Sequence, residues 1–192
     1  MKKQALAVAA LIGALAFAPA QANDFGPQIQ AFFDANVKSR LAETAVVDAV
    51  KEQNAAHAGL TAENIDALDK TWRAEAKAGG GDLVNKVLSN ELSKFLSALK
   101  AQHPDQITEV FVMDNRGLNV GQSDVTSDYN QGDEGKWQKT YAVGPDAVFI
   151  DEVEFDESTE SFQSQVSATI IDPATGAPIG AITLGLNVEN LL

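Results

Sequence analysis

"ITEVFVMDNRGLNVGQSD", residues 107–124, is where the periodicity of this 192-residue chain changes. Upstream, apolar residues recur every three or four positions. Here they alternate, which is strand spacing rather than helix spacing. Asn115-Arg116-Gly117 has turn composition, so the stretch reads as a hairpin. The same strand pattern continues in "AVFIDEVEF" (147–155), "SFQSQVSATIID" (161–172) and "IGAITLGLNVE" (179–189), with Asp156-Glu157-Ser158 and "PATGAP" as connecting turns. Five strands are expected, in up-and-down order, with sequence neighbours pairing antiparallel.

Working back toward the N-terminus, Pro27 suits the first turn of a helix. Ile29, Phe33, Val37, Leu41 and Ala45 then recur at four-residue spacing, predicting one helix to about Ala56. His57 and Gly59 mark a break. Thr61 is a good N-cap for a second helix, Glu63 charges its first turn, and Ile65, Leu68 and Trp72 form its buried side. Gly79-Gly80-Gly81 ends it. Asp82 opens a third helix with inner face Val84, Leu88, Leu92, Phe95 and Leu99, stopped at His103-Pro104. The helical part, 23–105, and the β part, 106–192, together predict one α+β domain.

Residues 1–22 stand apart. Lys2 and Lys3, an apolar run from Ala5 to Ala18, and Ala20-Gln21-Ala22 form the pattern of a cleaved secretory signal peptide. Its removal leaves 170 residues and takes the net charge from −13 to −15. No later segment is apolar enough to insert in a membrane, and there is no cysteine for a lipid anchor or a disulfide. A periplasmic location is expected. Such an acidic chain repels nucleic acid.

The familiar catalytic patterns are missing, including phosphate-cradling glycine loops and the G-x-S-x-G elbow. His57 and His103 are far apart, and thiolate chemistry needs a cysteine. Asp128, Asn130, Asp133 and Glu134 crowd one loop, but an EF-hand needs a ligand at position five and glycine at six, where Gly132 and Asp133 stand. No catalytic residue, metal ligand or cofactor is expected, and the chain does not read as an enzyme.

The stretch "DVTSDYNQGDEGKW" (124–137) raises the functional question, because a polar, glycine-interrupted loop carries two large rings. Gly132 and Gly135 let it turn tightly. Tyr129 and Trp137 can then face the sheet, either as walls of a small-molecule pocket or as plugs of the sheet's open face. Trp72 and Arg73 read as packing and a salt bridge. In "SFQSQVSATI", Phe162, Ser164, Val166 and Ala168 share one face, expected toward the helices. Gln163, Gln165, Ser167 and Thr169 share the other. The expected ligand-binding residues are therefore Tyr129, Trp137, Asp151, Gln165 and Ser167, with Lys136 or Lys139 at the rim.

The segments "FVMDNRGLNVGQSDVTSDYNQGDEGKWQKT" and "QVSATIIDPATGAPIGAI" resemble the Cache, or PDC, sensor domains, and "IDALDKTWRAE" resembles a stand-alone periplasmic subgroup of them. The resemblance covers residues 25–192. It implies a PAS-like five-stranded antiparallel sheet with long N-terminal helices, a small polar metabolite between sheet and loop, and a separate membrane receptor or kinase as partner. Family members that bind amino acids carry an Arg-x-Trp-Tyr motif; here Gly135 stands where the arginine would be. The rival expectation is a protein-interaction module that binds no ligand. A monomer or weak homodimer is expected.

Overall fold

The computed structural model describes residues 23–156 and 161–191. The expected signal segment 1–22 and residues 157 and 158 of the expected turn Asp156-Glu157-Ser158 lie outside them.

Two of the three expected helices are broken. The first divides into α1 (Gly26–Asn36), a 3-10 turn (Lys38–Ala42) and α2 (Thr44–Ala56). Ile29, Phe33 and Val37 are buried as expected, but α2 buries Val46, Val47 and Val50 rather than Ala45. At 100° per residue those two sets centre roughly a quarter-turn apart, so one straight helix could not aim both at the core. Glu43, with extended backbone (φ −66°, ψ 142°), resets the phase.

The second helix, α3 (Ala62–Lys77), has the expected cap: Thr61 and Asn64 form a reciprocal capping box. The third divides into α4 (Asp82–Leu88) and α5 (Glu91–Gln102). Asn90 accepts from the Ser93 amide as N-cap of α5 while its Nδ2 donates to the Val120 carbonyl at 2.7 Å. The restart moves the buried positions to Val87 and Leu96, leaving Leu88 and Phe95 half-buried.

The strands are β1 (Ile107–Met113), β2 (Asn119–Gln122), β3 (Val148–Ile150), β4 (Glu154–Asp156), β5 (Ser161–Ile171) and β6 (Pro178–Asn187). All pair antiparallel, in the order β2-β1-β6-β5-β3, with β4 also on β5. The up-and-down expectation is thus corrected: the last strand lies between the first and the fifth, and β2 and β3 stand at opposite edges. Burial supplies the reason. Ile179 through Leu186 are buried without alternation, so β6 must be covered on both faces and flanked on both sides. "AVFIDEVEF" is likewise two strands rather than one, since residues 151–153 leave the ladder, but both sit along β5. The sheet therefore has five strand positions, and the fold is α+β as expected.

Val110 and Val112 of β1, Val166 and Ala168 of β5, and Ile182 and Leu184 of β6 join Ile29, Phe33, Val50, Leu96 and Leu99 in the main core. On the other face Phe111, Met113 and Ala181 pack with Trp137 and Tyr141. Trp72, Val84, Val87, Leu118 and Tyr129 form a third cluster, beside β2. No helix among the described residues is long and apolar enough to cross a membrane.

Candidate functional site

The long β2–β3 connection does two separate things. Its first part runs along β2, covering an edge that would otherwise expose unpaired backbone. The Asn119 amide donates to the Tyr129 carbonyl at 3.0 Å, and Gln131 donates to the Gly117 carbonyl at 2.8 Å. Gly117 has φ +82°, and a Cβ there would lie 2.3 Å from the Gly132 Cα, so turn and loop touch backbone to backbone.

The second part crosses to the face without helices. A short helix, α6 (Gly135–Gln138), carries Lys136 and Trp137 there. The Trp137 indole donates to the Asp114 carbonyl at 3.1 Å and its ring lies 5.1 Å from that of Tyr141. Lys136, with a side chain only 14% exposed, pairs with Glu134 at 2.9 Å. Lys139 Nζ lies 4.0 Å from the centre of the Phe149 ring, close enough for a cation–π contact.

Between α6 and the β3–β4–β5 edge lies a pocket of about 330 Å³, lined among others by Lys136, Asp151, Gln165, Glu134, Glu152 and Glu154. Asp151 is held by its backbone: its amide donates to the Gln165 carbonyl at 2.8 Å, and its carbonyl accepts from Asn23 Nδ2 at 2.6 Å and Ser164 Oγ at 2.8 Å. Gln165 Nε2 donates to Glu109 Oε1 at 2.9 Å. Glu109 stands on β1, two strands away, and Gly185 of β6 lies in between. A Cβ on Gly185 would meet Thr108 Oγ1 at 2.4 Å and Glu109 Cγ at 2.9 Å, so that position leaves room for the crossing.

Of the six expected ligand-binding residues, Lys136, Asp151 and Gln165 meet in this pocket. The other three lie elsewhere. Ser167 shares the face of Gln165 but is sealed against Thr183, the two hydroxyls 2.9 Å apart. Trp137 pins α6 to the sheet. Tyr129 is on the far side of the molecule, its ring 5.4 Å from that of Trp72, because its part of the loop is committed to β2. Phe162, expected against the helices, is exposed. The pocket residues that sequence reasoning missed are Glu134, Glu152, Glu154, Phe155, Gln163 and Ser164, and Asn23 supports them by holding the Asp151 carbonyl.

Four carboxylates against one lysine make the pocket suited to a ligand bearing positive charge. Three acids of the loop are paired within the protein: Asp128 with Arg73, Asp124 with Lys100 and, in the pocket itself, Glu134 with Lys136. Arg73 also pairs with Asp69 at 2.6 Å. Among the described residues no group of three or more His, Asp or Glu side chains could hold a metal ion.

No family model and no curated protein matches the chain. Among solved structures it is similar to the sensor domain of the V. cholerae histidine kinase DctB, at 12% identity and TM-score 0.48, covering 87% of this chain and 53% of that one. It is similar to the ligand-binding domain of the Campylobacter jejuni chemoreceptor Tlp3 in complex with 4-methylisoleucine, at 11% identity and TM-score 0.40, covering 85% and 62%. A third likeness is to an extracellular ligand binding receptor from Desulfohalobium retbaense, at 12% identity and TM-score 0.40, covering 77% and 26%. The chain spans about half to under two thirds of the first two solved chains and about a quarter of the third. The described residues place helices over one face of an antiparallel sheet ordered β2-β1-β6-β5-β3 and a long loop over the other, an α+β fold.

Proposed function

We propose that this protein is a periplasmic sensor module that binds a small polar metabolite carrying an amine, in the pocket between α6 and the β3–β4–β5 edge, and signals through a separate membrane receptor or kinase. The observation that supports this reading is the convergence of Lys136, Asp151 and Gln165, from three separate stretches of chain, on one acidic pocket. Asp151 and the glutamates suit an ammonium group, while Lys136 and Gln165 can hold a carbonyl or hydroxyl beside it. Residues 1–22 carry the export pattern.

A thermal-shift screen of amines, amino acids and organic acids tests it. A ligand present at 100 times its Kd adds about 2.7 kcal/mol of stability. Amine-bearing compounds should raise the melting temperature, and simple dicarboxylates should not. Failure of every amine to do so, in protein purified without refolding, would remove the reading.

One observation favours the interaction-module reading. Phe155 and Phe162, 54% and 48% exposed, lie with ring centres 5.3 Å apart beside the pocket. A Phe155→Ser/Phe162→Ser variant that keeps ligand-induced stabilisation but loses signalling in cells would place partner contact there.

A further inference from the structure

The second large cavity lies on the opposite, helical side. It is a cleft of about 700 Å³ between α2, α3, α4 and the start of α5, with Tyr129 among its lining residues. We propose that this cleft is a distinct binding site for an amphipathic organic amine, with the ligand's hydroxyl or carbonyl group at Tyr129, its apolar body between the helices and its ammonium group at the mouth.

Three independent features converge on it. The first is Tyr129 itself. Its ring is 2% exposed and stacked on Trp72, yet its hydroxyl makes no hydrogen bond among the described residues. The hydroxyl is not among the sealed polar atoms of the fold, so it opens onto the cleft and can meet a ligand there. Burial, with the Asp114 carboxylate nearby, holds the phenol pKa above its ordinary value, so the group stays protonated and able to donate. Beside it, His57 Nδ1 is committed to Asp114 at 2.8 Å, which leaves its Nε2 as a second polar point.

The second is shape. α2 turns Ala45, Ala49 and Ala56 toward the cleft, on the side away from its buried valines, and Leu68, Leu83 and Val87 face them. Alanines at three of these positions leave a gap where larger side chains would close the contact between helices. The third is charge. Asp48 and Glu52, one turn apart on α2, and Glu91 stand at the cleft against one cation, Lys86. An acidic mouth over apolar walls favours a ligand whose positive end remains outermost.

Tyramine tests this directly, against 4-methylphenol and 4-hydroxyphenylacetate, which keep the phenol ring but replace the charged end by a neutral or negative one. Calorimetric titration of the folded protein should show saturable binding in the order amine, neutral, acid. Tyr129→Phe, which keeps the ring on Trp72, should weaken tyramine at least about fivefold, the size expected for one lost hydrogen bond. Asp48→Asn/Glu52→Gln should weaken tyramine and leave 4-methylphenol unchanged. Asp151→Ala, in the other pocket, should leave both unchanged, so this site and the proposed sensor pocket fail or survive separately.

Amide chemical-shift changes should gather at Gln53, His57 and Tyr129. The proposal is overturned by the absence of saturable tyramine binding at millimolar concentration, by unchanged binding in both the Tyr129 and the mouth variants, or by shifts confined to Lys136, Asp151 and Gln165. If Tyr129→Phe fails to fold, the mouth variants and the shift map decide alone.

Discussion

His57 Nδ1 lies 2.8 Å from a carboxylate oxygen of Asp114, a side chain with no solvent exposure at all. The same carboxylate accepts from Gln53 Nε2 at 3.0 Å and from the amides of Arg116 and Leu118 at 2.8 and 2.9 Å. One buried acid thus joins the end of α2 to the β1–β2 turn. Its main-chain carbonyl receives the Trp137 indole, tying α6 to the same point. Replacing Asp114 with alanine strands two amides and an imidazole, while Gln53 keeps the Leu118 and Asn119 carbonyls, and should cost about 3 kcal/mol in urea denaturation. A loss below about 1 kcal/mol would show that water replaces the carboxylate freely.

Asp69 carries a second such junction, with a pH consequence. Burial works to raise its pKa, but the Asn130 amide, Arg73 and the Tyr129 amide outweigh burial and hold it below the usual carboxylate range. A depressed folded-state pKa contributes stability that is present above the unfolded value, about 4, and lost as pH falls through the folded one. Melting temperature should therefore decline below about pH 4. Asp69→Asn should be less stable at pH 7 and show a shallower acid decline. Parallel curves for the two proteins would remove Asp69 from the explanation.

At Gly117 a side chain meets two obstacles at once, positive φ and the backbone of Gly132. The obstructing atoms are main chain and cannot rotate away. Gly117→Ala should cost at least about 2 kcal/mol, more than the usual penalty for alanine at positive φ, and should speed hydrogen exchange at Gln131 and Asn119 together. Faster exchange at Gly117 alone would mean that the loop is held elsewhere.

In the proposed sensor pocket, Asp151→Ala should weaken an amine ligand found by thermal shift at least about tenfold while the melting temperature of the free protein changes by less than about 3 °C, because its long-range bonds are made by main-chain atoms and its side chain accepts only from the exposed amide of Glu152. Lys136→Met keeps an unbranched stem and removes the charge, whose Nζ stands 5.4 Å from the centre of the Phe111 ring. If the ligand also carries a carboxylate, that change should weaken it; a purely cationic ligand should bind more tightly. Equal affinity in both variants would place the ligand outside this pocket.

Local features of the sequence predicted several elements correctly. The switch to alternation at Gln106, the Thr61 cap, the burial of Trp72 and the Arg73 ion pair all depend on neighbours within a few residues, where periodicity and capping chemistry act. The alternation of β5 also predicted that Gln165 and Ser167 share a face. The breaks at Glu43 and Asn90 were partly legible, since Ser89-Asn90-Glu91 is itself an N-cap signal, but the four-residue spacing of apolar side chains masked both.

Strand order was settled only by tertiary structure. Local pairing rules favour neighbours, whereas β6 is apolar on both faces and gains most from the centre, between strands distant in sequence. The same reason divided the loop's two aromatic residues. Tyr129 and Trp137 stand eight positions apart in a chain whose alternation had already ended, so no period related their directions. Bonds to β2 fixed one ring on the helical side, and the crossing of α6 fixed the other over the sheet. The sequence alone determined which half of the chain is helical and which is β, and which face of β5 is polar at Gln165 and Ser167. Which of those polar groups share a cavity was decided by long-range packing, because that depends on how separate elements are brought together rather than on any element's own pattern.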